Sequence, residues 1–230
     1  MSITPNTLTR GAGAAAVAAG LVFIGVQIGH PHLDADSVTT TEMAVRGSLK
    51  VLMTVLMLVG ITGMYLSQVR RNGVLGLVGY VISAVGYLSI MATSFVSAYV
   101  LPKVVGADRQ YVSSAIDTAT GGSPTADLGI LEVVLKGQGF AYLAGGILFG
   151  IALYRARVLT RWACALLAVG GLVSAALQVM PDAFYRLLAY PTGIAMIALG
   201  YSLWRTAQET STDLPVGTFA AEPIRTAAGG

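Results

Sequence analysis

Six apolar runs separated by short polar segments make up most of this chain. A helix needs about 20 consecutive apolar residues to cross the hydrocarbon core of a bilayer, and each run is of roughly this length. The pattern therefore predicts an all-α, polytopic membrane protein with six transmembrane helices. In chain order the runs cover residues 11–29, 47–67, 74–101, 131–154, 162–179 and 184–204.

The runs divide the chain into two parts. Residues 1–205 form one predicted transmembrane domain. Residues 206–230 are rich in Thr, Ala, Gly and Pro and have no periodic apolar face. Such a segment cannot bury enough apolar surface to order itself, so we expect it to be a disordered cytoplasmic tail.

Arginines set the predicted orientation, because cytoplasmic loops of membrane proteins carry an excess of Lys and Arg. A cytoplasmic N-terminus puts most arginines inside and the long, acid-rich loops 33–45 and 103–126 outside. Both termini are then cytoplasmic, as expected for a multi-pass protein of the cytoplasmic (inner) membrane. The second loop contains DRQYVSSAIDTA, which predicts a short interfacial helix. The inner arginines are Arg10, Arg70, Arg71, Arg155, Arg157, Arg161, Arg205 and Arg225.

Composition supports the membrane class and argues against a nucleic-acid partner. The chain is 55% hydrophobic and 11% charged, whereas soluble domains are about 25% charged. The net charge is +3, but the basic residues lie between apolar runs, as topology signals do, and form no binding motif. The single cysteine, Cys164, excludes an intrachain disulfide.

The segment ALYRARVLTRWACALLAVGGL, residues 152–172, carries a family resemblance. It resembles a segment that recurs in uncharacterised small six-helix integral membrane proteins of high-GC, actinobacterial-type bacteria. The resemblance covers about the last half of the chain. It implies the six-helix fold and implies no activity, cofactor or functional residue.

Three of the runs begin with an acid four residues before a base. Residues four apart share a helix face, and the acid-first order is the more stable one. The pairs have two interpretations. They can act as helix caps whose bases extend to the lipid headgroups, or they can form a charged ring around an outward-facing crevice. The pairs are Glu42–Arg46, Glu132–Lys136 and Asp182–Arg186.

Other polar and soft side chains also concentrate in the predicted outer halves of the helices. Hydroxyl groups follow one face of the third run, and methionines follow one face of the second. Either face can be helix–helix packing, or it can line a cavity. As a hypothesis, we expect an outward-facing crevice that binds a small amphiphilic or lipid-like molecule. The candidate ligand-binding residues are Lys50, Met53, Met57, Tyr87, Ser94, Ser97, Glu132, Lys136, Tyr142, Gln178, Asp182 and Arg186.

Glycines predict where helices approach each other closely. Gly139, Gly146 and Gly150 continue the Glu132–Lys136 face of the fourth run, and GVQIG ends the first. Small residues let helix backbones meet in a bilayer. These faces predict internal packing, or contact with a second copy or another membrane protein.

The loop after the first run contains a weak metal pattern. His30, His32, Asp34 and Asp36 alternate in HPHLDAD, so an extended segment places all four side chains on one side. Imidazole and carboxylate groups are ligands for Zn²⁺ or Cu²⁺. A solvated loop is the alternative, and no cofactor is otherwise predicted.

No sequence motif identifies an enzyme. The chain lacks the phosphate-binding, dinucleotide-binding, zinc-protease and nucleophile-elbow patterns. Three functions therefore remain open: binding or moving an amphiphilic molecule through the crevice, serving as a non-catalytic structural or assembly subunit of a membrane complex, and acting as an intramembrane enzyme. The enzyme would use an outer carboxylate, Glu132 or Asp182, as a general acid.

Overall fold

The computed structural model describes residues 4–29, 31, 33–176 and 189–212, without the side chains of residues 173–176 and 209–212. Within these residues the chain is helical and contains no strand. The helices are α1 (Pro5–Gly25), α2 (Thr41–Ser67), α3 (Val69–Phe95), α4 (Arg109–Ala119), α5 (Ile130–Ala156), α6 (Arg161–Ala176) and α7 (Ala189–Thr212). A π-helical segment, Val96–Val100, and a short α-helical one, Leu101–Val104, continue α3.

Two helices, α1 and α2, begin at polar N-cap residues that lie before the starts predicted from the apolar pattern. The Thr4 hydroxyl accepts a hydrogen bond from the Thr7 N–H at 3.2 Å, just before Pro5. The Thr40 hydroxyl accepts one from the Met43 N–H at 3.3 Å. Such side chains satisfy backbone donors that a helix start leaves unpaired. α1 and α2 therefore start at residues 5 and 41, rather than at 11 and 47.

The long helices form a closed ring in chain order. α1 packs on α2, α2 on α3, α3 on α5, α5 on α6 and α6 on α7, and α7 returns to α1. Large apolar side chains from several helices fill the middle. They include Met57, Ile61, Phe149, Leu153 and Met196, all almost fully buried.

Four of the described helical segments are long and apolar enough to cross a membrane. They are Pro5–Gly25, Thr41–Ser67, Val69–Val104 and Ile130–Ala156. The described apolar part of α6 is shorter, Arg161–Leu172. The membrane class is thus supported. The six-span count and the orientation of the termini stay predictions. The fifth and sixth predicted runs, 162–179 and 184–204, both extend into residues 177–188, which lie outside the described residues. α7 continues to Thr212, and the rest of the predicted tail, 213–230, also lies outside them.

The two long loops fold onto one end of the ring, which we call the capped end. It comprises residues 33–40 and 105–129, together with the helix ends they cover. The helix predicted from DRQYVSSAIDTA is confirmed as α4, and Asp108 caps it by accepting the Tyr111 N–H at 2.8 Å. A small apolar core joins the two loops to the ring. Its buried residues are Ala35, Val38, Leu101, Val112, Ala115, Ile116, Leu128 and Leu135.

The opposite end carries two tight turns, and we call it the hairpin end. α2 stops at Ser67, and α3 begins with one turn before a break at Gly73, whose φ is 57° and ψ −161°. Glycine accepts this positive φ without the steric cost that a Cβ imposes. Arg157 ends α5 in the left-handed conformation, with φ 56°. The polar segment QVRRNG, residues 68–73, thus forms the connection between the second and third apolar runs.

Glycines let neighbouring helix backbones meet. A Cβ built at Gly13 would lie 2.7 Å from the Gly200 carbonyl oxygen, and one at Gly79 would lie 2.5 Å from the Phe149 backbone nitrogen. The predicted packing role is confirmed for Gly150, where a Cβ would lie 2.7 Å from the backbone nitrogen of Ala168 in α6.

Replacing Gly79 by alanine should destabilise the ring, because the new methyl group meets the backbone of α5 rather than a movable side chain. Overpacking costs about 1–3 kcal/mol, which lowers Tm by several degrees in a chain of this size. Thermal unfolding in detergent measures the change. Gly137→Ala is the control, since a Cβ there meets nothing within 4 Å. Equal Tm values for the two variants would contradict the packing model.

Candidate functional site

Arg46 closes the C-terminal end of α1 from a position in α2. Its Nη1 donates to the Val26 and Ile28 carbonyl oxygens at 2.9 and 3.1 Å, and its Nη2 donates to the Gly29 oxygen at 3.1 Å. The last carbonyls of a helix lack internal partners, and a cation is favourable beside them. The side chain is only 18% exposed. Arg46 thus joins α1 to α2 at the capped end.

Glu42 completes this arrangement one turn earlier in α2. Its Oε1 accepts from Arg46 Nε at 2.9 Å and lies 2.8 Å from Arg46 Nη2. Within the described residues its Oε2 has no hydrogen bond or ion pair, and the side chain is 55% exposed. The predicted pair therefore forms, and it leaves one carboxylate oxygen directed to the surroundings.

A surface groove lies beside the pair, between the end of α1 and the start of α2. Its volume of about 380 Å³ falls within the range of small-molecule pockets. Its polar end holds Glu42 and Arg46, and its other residues are apolar or small. The lining residues are Gly25, Val26, Thr41, Glu42, Val45, Arg46 and Leu49.

Exposed apolar side chains extend the groove along both helices. Leu21 is exposed on α1 and Ile28 in the turn after it, and Val45, Leu49 and Leu52 are exposed on α2. Between them Gly25 adds no side chain, and a Cβ at this position would meet nothing within 4 Å. The groove therefore joins a charged end to an open apolar surface.

A second cavity lies in the middle of the ring. It measures about 10 Å³ for the centre of a water molecule, which is about the room that one water needs. Tyr142 donates its hydroxyl hydrogen to Thr192 Oγ1 at 2.9 Å, and the Tyr87 and Tyr142 rings meet edge to face at 5.8 Å. Ser83 adds a further hydroxyl to the lining. This cavity can hold a water molecule but no amphiphile.

The predicted ligand-binding residues that fall in the core do not form one site. Met53, Met57 and Tyr87 are buried in the ring, and Tyr142 packs against them. Of these four predicted residues, Tyr87 and Tyr142 line the central cavity, and the two methionines do not. The methionine face is therefore core packing in the described structure.

Three more predicted residues lie near the capped-end contact of α2 with α3 and its π-helical continuation. Ser94 is buried, while Lys50 and Ser97 are half-buried. The two helices approach closely here: a Cβ at Gly47 would lie 2.6 Å from the Ala98 Cβ. None of the three lines the groove or the central cavity.

The predicted Glu132–Lys136 pair forms on the surface of α5. Lys136 Nζ donates a hydrogen bond to Glu132 Oε1. The Lys136 side chain is 52% exposed and the Glu132 side chain 34%. Neither residue lines the groove or the central cavity. The predicted pair therefore forms, away from both the groove and the central cavity.

Several predicted residues lie outside the described residues: Gln178, Asp182, Arg186, His30 and His32. The remaining residues of the metal pattern have other partners. Asp34 Oδ1 accepts the Ser37 N–H at 2.7 Å, and Asp36 Oδ1 accepts from Arg109 at 2.8 Å. Among the described residues no cluster suited to a metal ion occurs. Zn²⁺ or Cu²⁺ binding stays a prediction.

Sequence reasoning missed Val26 and Leu49, which line the groove. It assigned Gly25, the first glycine of GVQIG, to close helix packing, and this was wrong in the described structure, where a Cβ at Gly25 meets nothing within 4 Å. Arg46 was recognised only as the partner of Glu42. The carbonyl groups that Arg46 binds lie 17–20 residues earlier in the chain, and no local pattern connects them. One sequence signal for the groove was available: α1 ends at a glycine, Gly25, and the next helix begins with the acid–base pair Glu42–Arg46.

Comparison with known proteins adds no assignment. No protein-family model, curated protein or solved structure matches the chain. The resemblance of residues 152–172 to the small six-helix membrane proteins therefore stays an expectation.

Replacing Arg46 by alanine should loosen the capped end, because three carbonyl groups lose a charged donor. Hydrogen bonds to charged groups contribute about 1.5–3 kcal/mol each, so the free energy of unfolding should fall by at least about 2 kcal/mol. Thermal unfolding measures this, and faster amide exchange near Gly29 should accompany it. Arg109→Ala is the control, since its 60%-exposed ion pair with Asp36 contributes little. An Arg46→Ala protein as stable as the control would contradict the capping role.

Proposed function

We propose that this chain is an integral membrane protein that binds a small amphiphilic or lipid-like molecule in the α1–α2 groove. The groove would open to the outer side of the cytoplasmic membrane. Arginines at the hairpin end, including Arg70, Arg71 and Arg161, favour a cytoplasmic location for that end. The capped end, and the groove with it, is then extracytoplasmic.

The observation that supports this proposal is that the polar end of the groove is continuous with an apolar surface. Glu42 and Arg46 supply its polar end, and Val45 and Leu49 lie directly below on the same helix. An amphiphile has the same arrangement, a polar head followed by an apolar chain. A groove at the membrane boundary can match both parts at once.

The apolar side of α2 is long enough for a hydrocarbon chain. Exposed residues continue from Val45 through Leu49, Leu52 and Val55 to Val59. At about 1.5 Å per residue this stripe is roughly 21 Å long, which exceeds the roughly 15 Å depth of one leaflet's hydrocarbon. A chain bound by its head in the groove would therefore have apolar contact throughout its leaflet.

The closed ring favours binding at the surface over passage through the centre. Within the described residues the central cavity has room for about one water molecule. Gly146 and Phe149 of α5 line this cavity beside Leu167 of α6. The proposal is therefore a binding site on the outside of the ring.

A second candidate function is that of an assembly subunit, and one observation favours it. α5 exposes Ile130, Val133 and Phe140 on one side, and Gly137 lies among them with open space around it. A glycine in an exposed apolar stripe allows close approach of another helix. No comparable observation favours the enzyme, because Glu132 is paired with Lys136 and Asp182 lies outside the described residues.

The substitution Gly25→Leu should abolish amphiphile binding without unfolding the protein. The new side chain would fill the groove, and its Cβ meets no protein atom within 4 Å. Native mass spectrometry of protein extracted from its host membrane should show a retained small molecule in the wild type and little in Gly25→Leu. Gly11→Leu is the matched control, since a Cβ at Gly11 also meets nothing within 4 Å.

Two results would contradict the proposal. One is a wild-type protein that carries no amphiphile, and the other is equal retention by Gly25→Leu and Gly11→Leu. A partner chain that co-purifies with all three proteins, and is lost in Gly137→Leu, would favour the assembly subunit instead.

A further inference from the structure

We infer that the groove selects an outer-leaflet phospholipid whose head carries a primary ammonium group, such as phosphatidylethanolamine. This inference deepens the proposed function and rests on it. It depends on how Arg46 and Glu42 use their polar atoms. A site with an unused cationic donor would select an anionic head, whereas a site with an unused anionic acceptor selects a cationic one.

Arg46 directs its guanidinium at partners within the protein. Its guanidinium has five N–H donors. Four of them donate hydrogen bonds: Nε to Glu42, Nη1 to Val26 and Ile28, and Nη2 to Gly29. Nη2 also lies 2.8 Å from Glu42 Oε1, within the ion pair. A phosphate or carboxylate head would have to displace one of these bonds. The arginine thus positions the site and does not bind the head.

Glu42 is the group that remains available. Both of its contacts with Arg46 use Oε1, and Oε2 has no partner within the described residues. An ionised carboxylate only accepts hydrogen bonds, so the ligand must supply the donor. Charge-assisted bonds of this kind are about twice as strong as neutral ones.

The requirement for a donor separates the common headgroups. A primary ammonium offers N–H groups and a positive charge to Oε2. A quaternary ammonium, as in phosphatidylcholine, has the charge but no N–H. A glycerol head, as in phosphatidylglycerol, leaves the lipid with a net negative charge beside the carboxylate. The groove should therefore prefer the ethanolamine head over both.

Lipid exchange into the purified full chain tests the inference. The protein is offered equal amounts of phosphatidylethanolamine, phosphatidylcholine and phosphatidylglycerol with identical acyl chains, and retained lipid is counted by native mass spectrometry. A charge-assisted hydrogen bond corresponds to about a tenfold preference, so the ethanolamine lipid should exceed each of the others by about that factor.

Glu42→Gln should reverse the preference. It removes the negative charge, leaves the Arg46 charge without its counter-ion, and should favour phosphatidylglycerol over the ethanolamine lipid. Glu132→Gln is the matched control, because Glu132 is also paired with a base four residues on but lies away from the groove. It should keep the wild-type order.

The outcomes separate the two claims. Lipid retention that Gly25→Leu abolishes, but that shows no headgroup preference or survives Glu42→Gln with its order unchanged, would overturn the ammonium inference and leave the proposed function standing. No retention by the wild type, or retention indifferent to Gly25→Leu, would overturn both. If Glu42→Gln fails to fold, the headgroup order of the wild type decides.

Discussion

Close contact between helix backbones is the constraint on which this structure depends. Lipid is as apolar as a leucine side chain, so helices in a bilayer associate through packing rather than through the hydrophobic effect. The ring closes where α1 meets α7 and where α3 meets α5. At both contacts a glycine faces the partner's backbone: Gly20 faces the Gly193 carbonyl oxygen, and Gly79 faces the Phe149 nitrogen.

Tight closure decides where a ligand can bind. The centre of the ring is occupied by large side chains such as Met57 and Phe149 and keeps space for about one water molecule. Space is available instead at the edge of the capped end, where α1 stops and Arg46 holds its last carbonyls. The same interaction that completes α1 also directs Glu42 toward the groove, so helix capping and the proposed binding site share one ion pair.

Much of the fold was predictable from local sequence, because membrane helices must satisfy their own backbone and be apolar over about 20 residues. The helix α4 and the pairs Glu42–Arg46 and Glu132–Lys136 follow from short-range patterns. The site was less predictable. Met53 and Met57 share a face with Lys50 in the sequence, yet they pack in the core, since a helix face does not say which neighbour covers it.

By itself the sequence determined the class of protein, the main helices and the acid–base pairs, because each is set by residues within one or two helical turns. Only the tertiary structure decided that the ring closes and that its described residues leave a central cavity of about one water molecule. It also decided that Arg46 binds carbonyls of the segment that follows α1, and that Gly25 leaves a groove beside it. These features join segments about 20 residues or more apart, and their geometry follows from how whole helices pack.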